Sequence, residues 1–190
     1  MWQLFRRLLS VPVAAGFSIS ALTQNGWPDL MWWLVCVVAG AVLWTLLEYA
    51  MHRFLYHRVL FFMRYHDAHH ATPDVYIGAP PIIGTGLIVL VTFAPFVMHA
   101  PLVGGGLTVG MLGGYAAYMV IHHACHFWKP VPGTYLYQAW LQHAAHHFHH
   151  GGANFGVTTA FWDHAFGTYN LEPTRFGRRH AAARSDRRVE

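Results

Sequence analysis

Residues 30–58 read LMWWLVCVVAGAVLWTLLEYAMHRFLYHR. From 30 to 50 the only charge is Glu48, near the end, and His52 and His57 follow directly. A bilayer core ~30 Å thick takes about 20 apolar residues in a helix rising about 1.5 Å per residue. The stretch is long enough, so it predicts a transmembrane helix. The histidines are then left at one membrane surface.

The rest of the chain agrees with a membrane setting. Of 190 residues, 55% are hydrophobic and 11% charged, less than half of the ~25% charge typical of a soluble domain. The length suits one domain. Two cysteines, Cys36 and Cys125, form neither a disulfide framework nor a CxxC zinc pattern, which argues against a disulfide-stapled secreted protein. Lys and Arg outnumber Asp and Glu by 12 to 8, but they are scattered in three clusters. Membrane topology explains those clusters better than nucleic acid does, and no nucleic-acid partner is expected.

Further spans are predicted at 81–100, with Pro95 as a kink, and at 102–121. In the latter, Gly106, Gly110 and Gly114 fall four apart on one helix face, a small-residue ridge that lets helices pack closely in lipid. Residues 8–22 are apolar but short, behind Arg6 and Arg7. No clear A-x-A cleavage site follows them, so they are read as a retained membrane helix. The expected fold is all-α, an integral membrane protein with about four transmembrane helices. If Arg6 is cytoplasmic, the external loops are roughly 23–29 and 100–102, and neither contains Lys or Arg. All twelve fall on the other side: Arg6, Arg7, Arg53, Arg58, Arg64, Lys129 and the six arginines from Arg175 to Arg188. By the positive-inside rule the histidine-rich parts and the C-terminus face the cytoplasm, at a bacterial inner membrane or otherwise the endoplasmic reticulum. The arginine-rich tail, 173–190, is read as solvated or held by lipid headgroups.

Ten of the sixteen histidines sort into four boxes on that side. EYAMHRFLYHR (48–58) supplies His52 and His57, and HDAHHATPD (66–74) supplies His66, His69 and His70. YMVIHHACHF (118–127) supplies His122 and His126, and LQHAAHHFHH (141–150) supplies His143, His146 and His147. A lone histidine would be read as structural, and a proton-sensing cluster has no need of duplicated H-x-x-H-H spacing. On a helix, residues i and i+4 point the same way, while i+3 lies about 100° from i+4. Neighbours such as His69 and His70 therefore serve different centres, and ten imidazoles are too many for one ion. One centre is expected to take His52, His57, His66, His70 and His146, the other His69, His122, His126, His143 and His147. His99 and His180 lie outside the boxes and are read as incidental. His123, His149, His150 and His164 remain open as supports, surface residues or ligand alternatives. Glu48, Asp67 and Asp163 are candidates to accept a hydrogen bond from a ligand's free ring N–H, or else ordinary helix-end or surface carboxylates.

Imidazole suits zinc, copper, iron and nickel alike. HExxH is absent, against a zinc peptidase, as are the E-x-x-H pairs of carboxylate di-iron bundles. An all-histidine dimetal site at a lipid surface remains. Redox chemistry there calls for two iron ions, although zinc could occupy the same nitrogens in a crystal. The function expected is an oxidoreductase hydroxylating an unactivated C–H bond of a membrane lipid, with no catalytic acid or base beyond the metals. A non-catalytic metal carrier is the competing class. It would place polar ligands within the spans, which are nearly free of them.

At these boxes the sequence resembles the fatty acid hydroxylase / sterol desaturase superfamily of membrane di-iron oxygenases. The likeness runs from about Glu48 to Tyr169. It includes HHATPDVYIGAPP (69–81) and FGVTTAFWDHAFGTY (155–169), which are similar to the fatty acid 2-hydroxylase branch. The resemblance implies a four-helix stem capped by a cytosolic helical region holding two metals, here 52–70 and 122–169 of a single domain, 1–190. It implies dioxygen as co-substrate and electrons from another carrier. Some relatives carry an N-terminal haem domain; only seven residues precede the first apolar segment here. The expected donor is therefore a separate b-type cytochrome, or a ferredoxin with its reductase. A desaturase, or a carotenoid- or sterol-type hydroxylase, is the nearest variant, and the lipid and the carbon attacked stay open. Gly151, Gly152 and Gly156 mark a turn after the last box, where Trp162 and Phe166 are placed to cover the site.

Overall fold

The computed structural model describes residues 27–75, 81–93, 100–149 and 151–171. The expected helix at 8–22, Pro95, His99, His150, His180 and the tail 173–190 lie outside the described residues. Among those described, the elements are helices and no strand occurs: α1 (Trp27–Ala50), α2 (Leu60–Ala71), α3 (Pro81–Ile88), α4 (Pro101–Phe127), α5 (Tyr135–Phe148) and α6 (Phe161–Ala165). π-helical turns, Met51–Tyr56 and Val89–Phe93, extend α1 and α3.

Pro28 pre-sets the first turn of α1, and Asp29 meets the positive end of its dipole. From there the helix shows two apolar faces with different partners. Met31, Val35, Val38 and Val42 recur on one face and are all more than half exposed. Trp33, Val37, Gly40 and Trp44 line the other and meet α4. An apolar stripe turned away from the protein is stable only against lipid or another apolar surface. Two helices, Pro28–Tyr56 and Leu102–Phe127, are long and apolar enough to cross a membrane. Of the third expected span, 81–100, only α3 and its π turn are described.

The glycine ridge forms the seam between α1 and α4. A Cβ on Gly106 would stand 2.6 Å from the Cys36 Cβ, and one on Gly114 would stand 2.7 Å from the Trp44 Cβ. On Gly110 it would collide with the Val37 carbonyl oxygen, and on Gly40 with that of Leu107. Only hydrogen fits at these positions, so the two backbones approach as in small-residue membrane seams. The contacts climb together, from Cys36 with Gly106 through Val37 with Gly110 to Trp44 with Gly114. The helices are therefore parallel. Their last turns emerge at one end, His52 beyond α1 and His122 and His126 within α4.

A core of Trp44, Ile88, Met111 and Leu112 fills the space beside the seam. The buried hydroxyls of Thr92 and Thr108 lie 2.9 Å apart, and each is also within reach of a carbonyl on its own helix, so one can donate to its carbonyl while the other donates across. They join the extension of α3 to α4. Helix α4 runs unbroken to Phe127, so the third histidine box stands on the long apolar helix itself and not after it. The chain then reverses at Gly133, whose φ of 86° favours glycine. Thr134 starts α5 by accepting from the Tyr137 N–H at 3.3 Å. The inner face of α5 buries Ala139, Gln142, His143, Ala145 and His146.

Candidate metal centre

Each histidine arrives by a local rule of its own element. On α2, His66 and His70 share a face while His69 turns aside; on α5, His143 and His147 share a face while His146 turns aside. His122 and His126 are one turn apart on α4. His52 and His57 follow a different rule. Five residues apart on an α-helix, their side chains would diverge by about 140°. The π turn Met51–Tyr56 closes its hydrogen bonds over five residues and brings His57 back toward His52. Their rings lie 5.3 Å apart and 20° from parallel.

The ten imidazoles gather as two groups of five: His52, His57, His66, His70 and His146, and His69, His122, His126, His143 and His147. Within each group the ligand nitrogens all lie within 4.8 Å of one another. In the first, His66 Nε2 is 3.1 Å from His52 Nε2, 3.1 Å from His57 Nε2 and 3.0 Å from His70 Nε2. His57 Nε2 faces His146 Nε2 at 3.3 Å. In the second, His122 Nε2 is 3.1 Å from both His69 Nε2 and His126 Nε2, and His126 Nε2 is 2.8 Å from His143 Nε2. The groups abut where His70 stacks on His147, centroids 4.1 Å apart.

A loop from 151 to 160 closes the first group. The Phe155 carbonyl takes a hydrogen bond from His52 Nδ1 at 2.6 Å, and the Ala153 carbonyl takes one from His146 Nδ1 at 2.7 Å. A carbonyl only accepts, so both rings carry their proton on Nδ1 and turn a bare Nε2 inward. Bare nitrogens converging on one point call for a cation. Bonds of about 2.1 Å to such an ion place neighbouring nitrogens roughly 3 Å apart, the spacing observed. In the second group, His147 has both ring nitrogens buried without a protein partner among the described residues, an arrangement native structures avoid unless something else binds there. The donors in both groups fit metal ions.

Electrostatics point the same way. Burial, reinforced by neighbouring imidazoles, pushes His66 down to about 2 and His69 and His70 to about 4. Burial takes His146 to about 3 and holds His143 and His147 well below the usual histidine range. These rings are neutral at ordinary pH, the form that binds a metal.

The carboxylates named from sequence stand one step further out. Glu48 accepts from the Val157 and Thr158 N–H groups at 2.7 Å each and from the Thr158 hydroxyl. Asp163 accepts from Phe155 N at 2.8 Å, Gly156 N at 2.7 Å and the Thr168 hydroxyl at 2.7 Å. Both hold the loop, and the loop carbonyls hold the imidazoles. Asp67 lies exposed on α2. Trp162 bonds Thr45 and Phe166 stacks on Tyr49, so both pack on α1. The ring that covers the first group is Phe155, edge-on to His52, His57 and His146 at 5.6 Å each. His123 stacks on Phe127 and His164 on Tyr169, both outside the two groups.

The sequence profile of the fatty acid hydroxylase family matches residues 37–168, a range that contains both groups. Fatty acid 2-hydroxylase of Homo sapiens is 33% identical over 144 residues, which are 70% of this chain and 39% of that protein. Dihydroceramide fatty acyl 2-hydroxylase FAH2 of Arabidopsis thaliana is 30% identical over 161 residues, 80% of this chain and 66% of that protein. Ceramide very long chain fatty acid hydroxylase SCS7 of Saccharomyces cerevisiae is 33% identical over 153 residues, 72% and 38% of the respective chains. The chain thus spans about two-fifths of the length of the human and yeast relatives. Its fold is similar to the solved structure of full-length scs7p, in which only the hydroxylase domain is visible. The TM-score is 0.68 at 26% identity, over 84% of this chain and 63% of that one.

Proposed function

The chain belongs to the fatty acid hydroxylase family, and from that premise we propose that it is a membrane-bound oxidoreductase that holds one iron in each histidine group and hydroxylates a fatty-acyl chain with dioxygen. The observation that carries this reading is the convergence of ten imidazoles into two groups of five at the common end of two parallel apolar helices. An unactivated C–H bond offers no acidic proton to a side-chain base; the bound irons supply the oxidising chemistry it needs.

The chain's own residues position and enclose. His52, His57, His66, His70 and His146 hold one ion, and His69, His122, His126, His143 and His147 the other. The carbonyls of Ala153 and Phe155 fix the tautomer and angle of His146 and His52. The buried ring of Phe155 keeps water from the first group on the loop side. The exposed apolar stripe of α1 lies in the bilayer, from which the acyl chain reaches the histidines without crossing water. The names of the relatives, 2-hydroxylases of fatty acids and dihydroceramide acyl chains, support carbon 2 of such a chain as the position attacked. Electrons come from a separate donor, a b-type cytochrome or a ferredoxin with its reductase. In this reading the stem has four spans, 52–70 and 122–169 form its cytosolic cap, and the membrane is a bacterial inner membrane.

The test is mass spectrometry of lipids from cells with and without the gene, grown under ¹⁸O₂. A product heavier by one labelled oxygen at carbon 2 is expected. Loss of two hydrogens without labelled oxygen would contradict hydroxylation and indicate a desaturase.

A further inference from the structure

The two histidine groups are built alike in their inward nitrogens and differently behind them. In the first, two of five rings are tethered through Nδ1 to backbone carbonyls, His52 to Phe155 and His146 to Ala153. In the second, the buried Nδ1 atoms of His69, His143 and His147 meet no acceptor among the described residues.

The tethers belong to a rigid segment. Asn154, between the two carbonyls, holds a left-handed φ of 56°. It is pinned by its own N–H to the Thr168 carbonyl at 2.9 Å and by a reciprocal side-chain pair with the Asn170 backbone at 2.7 and 2.9 Å. Asp163 takes the next two N–H groups, and Glu48 the two after those. Four successive amides are thus fixed by two buried carboxylates. Glu48 is rooted in α1, four residues before His52. The helix that carries His52 therefore also fixes the loop that orients it.

A hydrogen bond from Nδ1 to a carbonyl raises the donor strength of Nε2 and removes the ring's freedom to turn or change tautomer. Both effects strengthen metal binding, and both act on the first group. We propose that the two metal sites are inequivalent: the loop-tethered group fills first, and Glu48 is a positioning residue for it, acting through the loop. This rests on the two-metal reading above and adds an order to it. Disturbing such supporting contacts typically lowers metal affinity about 10–100-fold, so a separation of at least about tenfold between the two binding steps is expected on the same grounds.

The experiment is an anaerobic titration of the full-length, metal-free chain in detergent with ⁵⁷Fe(II), followed by Mössbauer spectroscopy. One equivalent should give a single quadrupole doublet, and the second equivalent a different one. His52→Ala should remove the doublet that appears first, and His143→Ala the one that appears second. Glu48→Gln, nearly isosteric but uncharged, should weaken the first step about tenfold and leave the second in place. A general loosening of the fold would move both steps together. Two irons bound with equal affinity and one common doublet, or a first doublet lost in His143→Ala, would overturn the inequivalence and leave the two-metal reading standing. Uptake of fewer than two irons by the unaltered chain would overturn that reading, and the ordering with it.

Discussion

His146 shows what a single residue must satisfy here. It is fully buried, its Nδ1 is committed to the Ala153 carbonyl, and its Nε2 faces His57. Replacing it by alanine removes one of five donors and the tether to the partly buried Ala153 carbonyl. His146→Ala should therefore lose iron from the first group and abolish hydroxylation, with membrane insertion intact because no apolar helix is touched. Iron per chain, product yield and membrane fractionation check the three parts. His164→Ala should keep iron and activity near wild type, within about 0.5 kcal/mol of its stability, because that ring stacks on Tyr169 at an exposed position outside both groups. The relative directions of His66, His69 and His70, of His122 and His126, and of His143, His146 and His147 were legible residue by residue, since i, i+3 and i+4 directions on a helix need no tertiary information. The carbonyls of Ala153 and Phe155 were not. Backbone acceptors have no signature in a sequence, and a carboxylate such as Glu48 reads the same whether it meets an imidazole or an amide.

At the scale of elements, two features decide whether the groups form. One is the π turn after α1. Over the same residues an α-helix would leave His57 about 140° from His52, and one more residue would swing it on by about 100°, so insertion of an alanine after the exposed Phe54 should dismantle the first group and spare the second. Iron content is expected to fall from two per chain to one; retention of two would contradict the role given to the turn. The other is the glycine seam. Gly110→Leu drives a side chain into the Val37 carbonyl, where no rotamer avoids the backbone. Overpacking of this kind costs roughly 1–3 kcal/mol or more, and the melting temperature in detergent should drop sharply. Gly113→Leu, at an exposed position with open space around its Cβ, should melt as wild type. The seam was visible as glycines four apart. The π turn was not, because H-x4-H fits neither α-helical neighbour rule and the extra residue in the turn is chosen by tertiary packing.

For the whole molecule, the parallel course of α1 and α4 does most to assemble the site. It brings the last turns of both helices to one end, where Arg53, Arg58, Arg64 and Lys129 also follow in the chain. In the proposed orientation these charges retain that end in the cytoplasm. A phosphatase that works only outside the cytoplasm should therefore be inactive when fused after Glu190, and a cytoplasmic fluorescent reporter active; the opposite result would reverse the topology. Length and hydropathy were enough to find α1 and α4 from sequence. They could not show that α4 carries its histidines without a break, since an apolar run ends where composition changes and a helix ends where its hydrogen bonds do. The most direct measurement is a crystal structure of the iron-loaded chain with data collected at the iron absorption edge. Two anomalous peaks are expected, one among the Nε2 atoms of His52, His57, His66, His70 and His146, the other among those of His69, His122, His126, His143 and His147. A single peak, or one ion bound by both His69 and His70, would contradict the two-centre site.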